Sequence, residues 1–263
     1  MNRRALIKPA GKAFNYFGYK GRDAKMYPVP RFDCIIEPFA GGAGYALTYP
    51  DLKVTLYDLD EEVCELWDYL IHASPADILA LPLIKPYQHV DELKVNGAAK
   101  QLIRRWLNPL SGKAENKIPP MKVKWDTDGS IVTEWAVWGD KRRNMISKLV
   151  TRIKHWRILN RSYIDADDSR GTWFIDPPYA SKVSKNYKYT HKSIDYKQLS
   201  EWCQNRQGQT IVCENTDSER WLPFRDLHQI KGGNYKGSKA KRSTELIWCS
   251  DERDYPMTQS SLL

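Results

Sequence analysis

Cysteine is scarce and scattered in this chain: the five residues at 34, 64, 203, 213 and 249 include no closely spaced pair. That excludes a Cys-x-x-Cys zinc site and offers no disulfide framework. An odd thiol count without a signal-peptide pattern points to a reducing cytoplasm. Histidine is no more helpful to a metal, because His72, His89, His155, His191 and His228 lie far apart without ligand spacing. No metal is therefore expected. Nor is there an uncharged apolar run of the roughly 18 residues that a membrane-spanning helix needs.

Positive charge is what the chain holds in surplus. The formal net charge is +9, and residues 73–157 carry 16 Lys or Arg against 8 Asp or Glu, so the excess is concentrated there. Trp106, Trp125, Trp135, Trp138 and Trp156 share that stretch. Basic groups among large aromatics suit a surface that grips phosphates and stacks or wedges at bases. The plainer alternative is a small basic domain with tryptophans in its core, and we expect most of these rings to be core and a few of the charges to be functional. A chain of 263 residues can hold one domain with a sizeable insertion. The expected division is 1–72 and 158–263 for the main body, with 73–157 inserted.

Two motifs carry chemistry. Asp176, Pro177, Pro178 and Tyr179 directly follow the apolar run Trp173–Ile175. An acid, a stiff proline pair and an aromatic at a strand end can hold a planar amino group: the carboxylate accepts one hydrogen, a backbone carbonyl the other, and the ring stacks on a base. Such a tetrapeptide arises by accident in about one chain in a thousand of this length. Upstream, Ile35 and Ile36 read as a short buried strand, followed by Glu37, Pro38, Phe39, Ala40, Gly41, Gly42, Ala43 and Gly44 before an expected helix from Tyr45. Glycines let the turn tighten and bring amides close to a ligand. The next run, Val54–Tyr57, ends in Asp58, Leu59, Asp60, where an acid can bind ribose hydroxyls. The alternative role for Asp58 or Asp60 is to cap a helix from Glu61 to Ile71.

These residues resemble the adenine-specific DNA methyltransferases of the Dam type, which use S-adenosylmethionine. The family's glycine motif is similar to Glu37–Gly44, its acidic ribose ligand to Asp58 and its catalytic tetrapeptide to Asp176–Tyr179. An N-terminal element with an aromatic, a glycine and a lysine is similar to Tyr16, Gly18 and Lys20, with Tyr19 standing where the family has a second glycine. Arg242–Ile247 resembles the family's last shared stretch. The resemblance implies an α/β fold, a doubly wound and mostly parallel sheet of the Rossmann-like methyltransferase type, with an inserted target-recognition domain. It implies that Tyr16, Gly18, Lys20, Glu37, Phe39, Gly41, Gly42, Gly44, Asp58 and Asp176 touch the cofactor. Duplex DNA is the expected partner, bound by a monomer or weak dimer. No cysteine follows a proline as the nucleophile of ring-carbon cytosine methyltransferases does, so that chemistry is not expected. Methylation of the cytosine amino nitrogen, a DNA-binding regulator that has lost catalysis, and transfer to RNA or to a protein glutamine remain alternatives.

Candidate DNA contacts are Arg104, Arg105, Lys122, Lys124, Lys141, Arg142 and Arg143 in the basic stretch. Lys182, Lys185 and Lys188 follow the tetrapeptide, and Lys239, Lys241 and Arg242 lie in a glycine-rich loop. Asp140–Trp156 reads as one basic helix, with Met145, Leu149, Ile153 and Trp156 on one face. Between Pro82 and Trp138, prolines and polar stretches suggest loops and a hairpin. Alternation resumes with strand 173–175, a helix near 196–205 and strand 210–213. No counterpart of a GATC-reading segment is found between residues 100 and 145, so that target is not implied.

Overall fold

The computed structural model describes residues 9–108, 113–125, 131–133, 137–180, 193–216, 220–230 and 243–255. Lys182, Lys185, Lys188, Lys239, Lys241 and Arg242 lie outside them, as do Trp135 and the side chains of Lys124 and Trp125.

The strands are β1 (Cys34–Glu37), β2 (Lys53–Asp58), β3 (Val123–Trp125), β4 (Ile131–Thr133), β5 (Arg157–Asn160), β6 (Gly171–Ile175), β7 (Gly208–Asn215), β8 (Arg225–Ile230) and β9 (Ser243–Cys249). The helices are α1 (Glu61–His72), α2 (Pro75–Ala80), α3 (Gly97–Leu107), α4 (Asp140–Val150) and α5 (Tyr196–Gln204). Seven strands form one sheet in the order β5-β2-β1-β6-β7-β9-β8. The five from β5 to β7 are parallel, and β9 runs antiparallel to both of its neighbours. This is a mostly parallel α/β sheet, compatible with a Rossmann-like fold. β3 and β4 make a separate antiparallel pair within the basic stretch.

Successive side chains of a strand point to opposite faces, and here both faces are apolar. Ile35, Phe174, Ile211, Cys213, Ile247 and Cys249 belong to one core cluster. Their sequence neighbours Ile36, Trp173, Ile175, Val212 and Leu246 belong to the other. The first face is covered by α1, which is built for the task. Asp60 caps it by accepting from the Glu62 amide at 3.2 Å, Glu61 and Glu62 favour the helix dipole, and Val63, Leu66, Trp67 and Leu70 form its buried stripe. At its other end Lys154 Nζ donates to the Ile71 and Ala73 carbonyls at 2.9 and 2.5 Å. The second face takes Leu199 and Cys203 of α5.

Three local expectations change. The helix from Tyr45 shrinks to a single 3-10 turn, Ala46–Thr48, because Pro50 denies a helix its next donor and the chain must enter β2 at Lys53. The basic helix stops at Val150 instead of Trp156. Beyond it Arg152 pairs with Asp51 and His155 meets the Leu52 carbonyl, so the turn is tied to the strand below. Finally, α2, α3, β5, β8 and β9 have no counterpart among the expected elements. Residues 73–157 share one apolar cluster with the N-terminal part of the sheet: Ile78, Leu102, Trp106, Trp138, Leu149 and Trp156 pack with Phe14, Leu56 and Trp67. The three described tryptophan side chains of the basic stretch, Trp106, Trp138 and Trp156, are buried.

Candidate active site

β1 leads outward to β2, and its other neighbour β6 leads outward to β7 in the opposite direction. Open α/β sheets leave a crevice where the strand order reverses, at the carboxyl ends. The glycine turn follows β1 and Asp176 follows β6, so two motifs about 140 residues apart meet on adjacent strands, in register at Ile35–Thr172 and Ile36–Trp173. A cavity of about 250 Å³ lies there. Its wall contains Tyr16, Gly18, Lys20, Glu37, Phe39, Gly41, Gly42, Gly44, Asp58 and Asp176, together with Pro178. Pro177 is buried and is not part of that wall.

The glycine turn is held from inside by acids. Asp58 accepts from the Gly41 amide at 2.9 Å and from the Asp60 amide at 2.9 Å, while Glu37 accepts from the Ala46 amide at 2.7 Å. Trp67 of α1 donates its indole N–H to the Gly41 carbonyl at 2.9 Å. Outside, the N-terminal segment lies directly on the turn. Gly41 has φ +43°, and a Cβ there would stand 2.7 Å from the Tyr16 ring. At Gly44 a Cβ would stand 2.3 Å from the Gly21 nitrogen, a backbone atom with nowhere to go. Gly44→Ala is therefore expected to push Lys20 and Gly21 off the turn, which would weaken ligand binding at least tenfold by calorimetry and lower the melting temperature.

A buried network of opposite charges surrounds the tetrapeptide. Lys20 Nζ lies 3.2 Å from Asp176 Oδ1 and 3.0 Å from Glu245 Oε1. It also contacts the Tyr179 hydroxyl and sits 4.5 Å from the centre of that ring. Tyr179 Oη donates toward Glu245 at 3.0 and 3.1 Å, and Tyr27 Oη donates to Glu245 Oε1 at 2.8 Å. Glu214, also buried, accepts from the Ala180 amide at 3.2 Å and from Trp221 Nε1 at 2.9 Å. The Pro178 carbonyl accepts from Tyr196 Oη. The chain on both sides of Tyr179 is thus fixed.

Burial, which disfavours charge, pushes the Asp176 carboxyl up to about 7. Lys20 pulls it down, and Glu245 and Glu214 raise it further. Burial pushes Glu37 up to about 8, against the Ala46 amide that stabilises its charge. Asp58 is pushed up to about 6 by burial, against the Asp60 and Gly41 amides. Each of these folded-state values exceeds the ordinary carboxyl range near 4. The folded protein therefore binds protons that the unfolded chain has already released, and the stability linked to them is lost as pH rises through about 6 to 8. We expect the melting temperature to fall between pH 5 and pH 8, and Glu37→Gln to flatten that slope; differential scanning calorimetry across the range would test both.

Phe39 stacks on Tyr163 with centroids 5.4 Å apart. Beside that pair Ser162, Ile164, Ile194, Asp195 and Gln198 also line the wall, and none of them carries a recognisable motif. Glu245 and Glu214 were legible in retrospect, since each is an acid inside or at the end of an apolar strand, Thr-Glu-Leu-Ile-Trp and Ile-Val-Cys-Glu.

The basic candidates divide. Arg104 is bound to Asp91 and, at 2.9 Å, to Asn116. Arg143 donates to the Leu79 and Leu81 carbonyls at 3.0 and 2.7 Å and pairs with Asp140. Lys122 is buried. Lys141 is exposed, and Arg105 and Arg142 are half-buried on aromatic rings. Among the described residues no group of acids, histidines and cysteines could hold a metal ion, and no helix is long and apolar enough to cross a membrane. No protein-family model matches the chain, and no curated protein matches it.

Proposed function

We propose that this chain is an adenine-specific DNA methyltransferase of the Rossmann-like methyltransferase fold that takes its methyl group from S-adenosylmethionine. The observation that carries the proposal is the meeting of Lys20, the glycine turn, Asp58 and Asp176 around one cavity at the reversal point of the sheet.

The donor set suits that cofactor. Asp58 accepts the Gly41 and Asp60 amides on different oxygens, and a carboxylate has further lone pairs with which to accept a ribose hydroxyl. Phe39 and Tyr163 supply aromatic surface for a purine. Asp176 and Glu37 put carboxyl oxygens in the cavity wall, acceptors for the hydrogens of an ammonium group. When bound, the cofactor supplies an electrophilic methyl group.

The protein's own work is to present an amino nitrogen to that methyl. A base inside a duplex is out of reach, so the nucleotide is extruded, and phosphate contacts help offset the few kcal/mol of unstacking. Asp176 and the Pro177 carbonyl accept the two amino hydrogens, which draws the nitrogen lone pair out of conjugation with the ring. Tyr179 stacks on the base, its hydroxyl anchored by Glu245 and Lys20. The Lys20 charge beside Asp176 favours the ionised acceptor.

The test is to incubate the protein with S-adenosylmethionine and unmethylated genomic DNA, digest to nucleosides and identify new bases by mass spectrometry. N-methyladenine is the expected product. Methylcytosine would move the same pocket to its nearest alternative, and no product despite cofactor binding would sink the enzyme.

A further inference from the structure

The peptide groups on both sides of Tyr179 are tied down by residues that no motif contains. On one side Tyr196 Oη donates to the Pro178 carbonyl. On the other the Ala180 amide donates to Glu214 Oε2 at 3.2 Å. One indole braces both anchors: the Trp221 ring lies against Tyr196 with centroids 5.5 Å apart, and its Nε1 donates to the same Glu214 oxygen at 2.9 Å. Burial, and after it the Glu214 charge, push the Tyr196 hydroxyl above its ordinary value. It therefore keeps its proton and stays a donor at neutral pH.

These ties fall on the torsions that the prolines leave open. The rings of Pro177 and Pro178 lock their own φ, so the rotation of the Pro178 carbonyl decides where the chain delivers Tyr179. Tyr196 holds that rotation, and Glu214 holds the next peptide group. Through the stiff proline pair the same contact sets the direction of the Pro177 carbonyl. Tyr196 is also the first residue of α5, and its neighbours Ser193, Ile194, Asp195 and Gln198 line the cavity while Tyr196 is not part of that wall. We propose that Tyr196 is a positioning residue for methyl transfer: acting through the Pro178 carbonyl, it aims the Pro177 carbonyl and the Tyr179 ring at the amino group, and it joins that aim to the cavity wall carried by the same turn of helix. This role rests on the DNA-methylation reading.

Tyr196→Phe tests it, since the variant keeps the ring against Trp221 and removes only the hydroxyl. Single-turnover transfer from radiolabelled S-adenosylmethionine to saturating unmethylated genomic DNA is measured across pH, with cofactor affinity by calorimetry. The plateau rate is expected to fall by about tenfold to a hundredfold, the scale of a small misplacement of reacting groups. No charge is removed, so the pH at which the rate levels off should stay in place, and cofactor affinity should stay within twofold. Tyr255→Phe is the matched control. Its hydroxyl accepts from the Cys249 amide at 3.0 Å, at the other end of β9 from Glu245, and losing it should leave the rate within twofold. An equal fall in rate in that control would overturn the positioning role, as would a Tyr196→Phe plateau within twofold of wild type. A fall matched by an equal weakening of cofactor binding would overturn it too, by making the hydroxyl part of the cavity. A wild-type protein that methylates no base would instead overturn the methyltransferase reading itself.

Discussion

Asp176→Ala is expected to reduce methyl transfer by about 10³-fold or more, the scale set by losing a preorganised electrostatic contact to the reacting group. Cofactor affinity should stay within about tenfold, because Asp58, Phe39 and the glycine turn are untouched. Single-turnover kinetics with radiolabelled cofactor, alongside calorimetry, separates the two quantities. Ionised Asp176 is a stronger acceptor of an amino hydrogen than the neutral acid, and its carboxyl sits at about 7 in the folded protein. The wild-type rate should therefore rise with pH through neutrality and level off above it. Asp176→Asn, which cannot titrate, should lose that limb along with most of its activity. A variant turning over at the wild-type rate would remove Asp176 from the chemistry.

The second large effect belongs to Glu245, which touches no substrate in this scheme. Its carboxylate is fully buried and receives Lys20, Tyr27 and Tyr179 together. Glu245→Ala leaves a buried ammonium and two hydroxyls short of a partner, a change that typically costs about 3–5 kcal/mol. For a chain of this size the corresponding fall in melting temperature is on the order of 10 °C. Glu245→Gln keeps the shape and accepts the hydroxyl bonds but drops the charge, so Lys20 should swing wholly to Asp176. That variant should be nearly as stable as wild type yet show a pH–rate limb displaced to lower pH. A limb that stays in place would mean that Glu245 serves stability alone.

Much of this architecture is written in short runs. Trp173-Phe174-Ile175 and Ile35-Ile36 could be read as buried strands because parallel strands covered on both faces need no alternation, and the motifs after them marked the cavity. What escaped was whatever lacked contrast. β5 is a four-residue edge strand whose ends are polar, Arg157 and Asn160. α3 begins with Gly97 and carries four polar side chains among its eleven residues, so its stripe of Ala99, Leu102, Ile103 and Trp106 is visible only when the Asn96 cap is taken as its start. The glycine turn was legible as a tight turn, but its partner was not. Gly42 and Gly44 are small chiefly because Tyr16, Tyr19 and the Lys20–Gly21 backbone press on them, and no local pattern announces a contact between segments more than twenty residues apart.

The place of β9 has a consequence in time. It is the last strand among the described residues, yet it lies between β7 and β8 in the sheet, and it delivers Glu245 to Tyr27 across 218 residues of sequence. During synthesis the glycine turn and Asp176 leave the ribosome long before their counter-network can form. The nascent protein thus carries an unfinished acidic pocket, and binding competence should switch on late and abruptly as β9 docks, without growing in step with chain length.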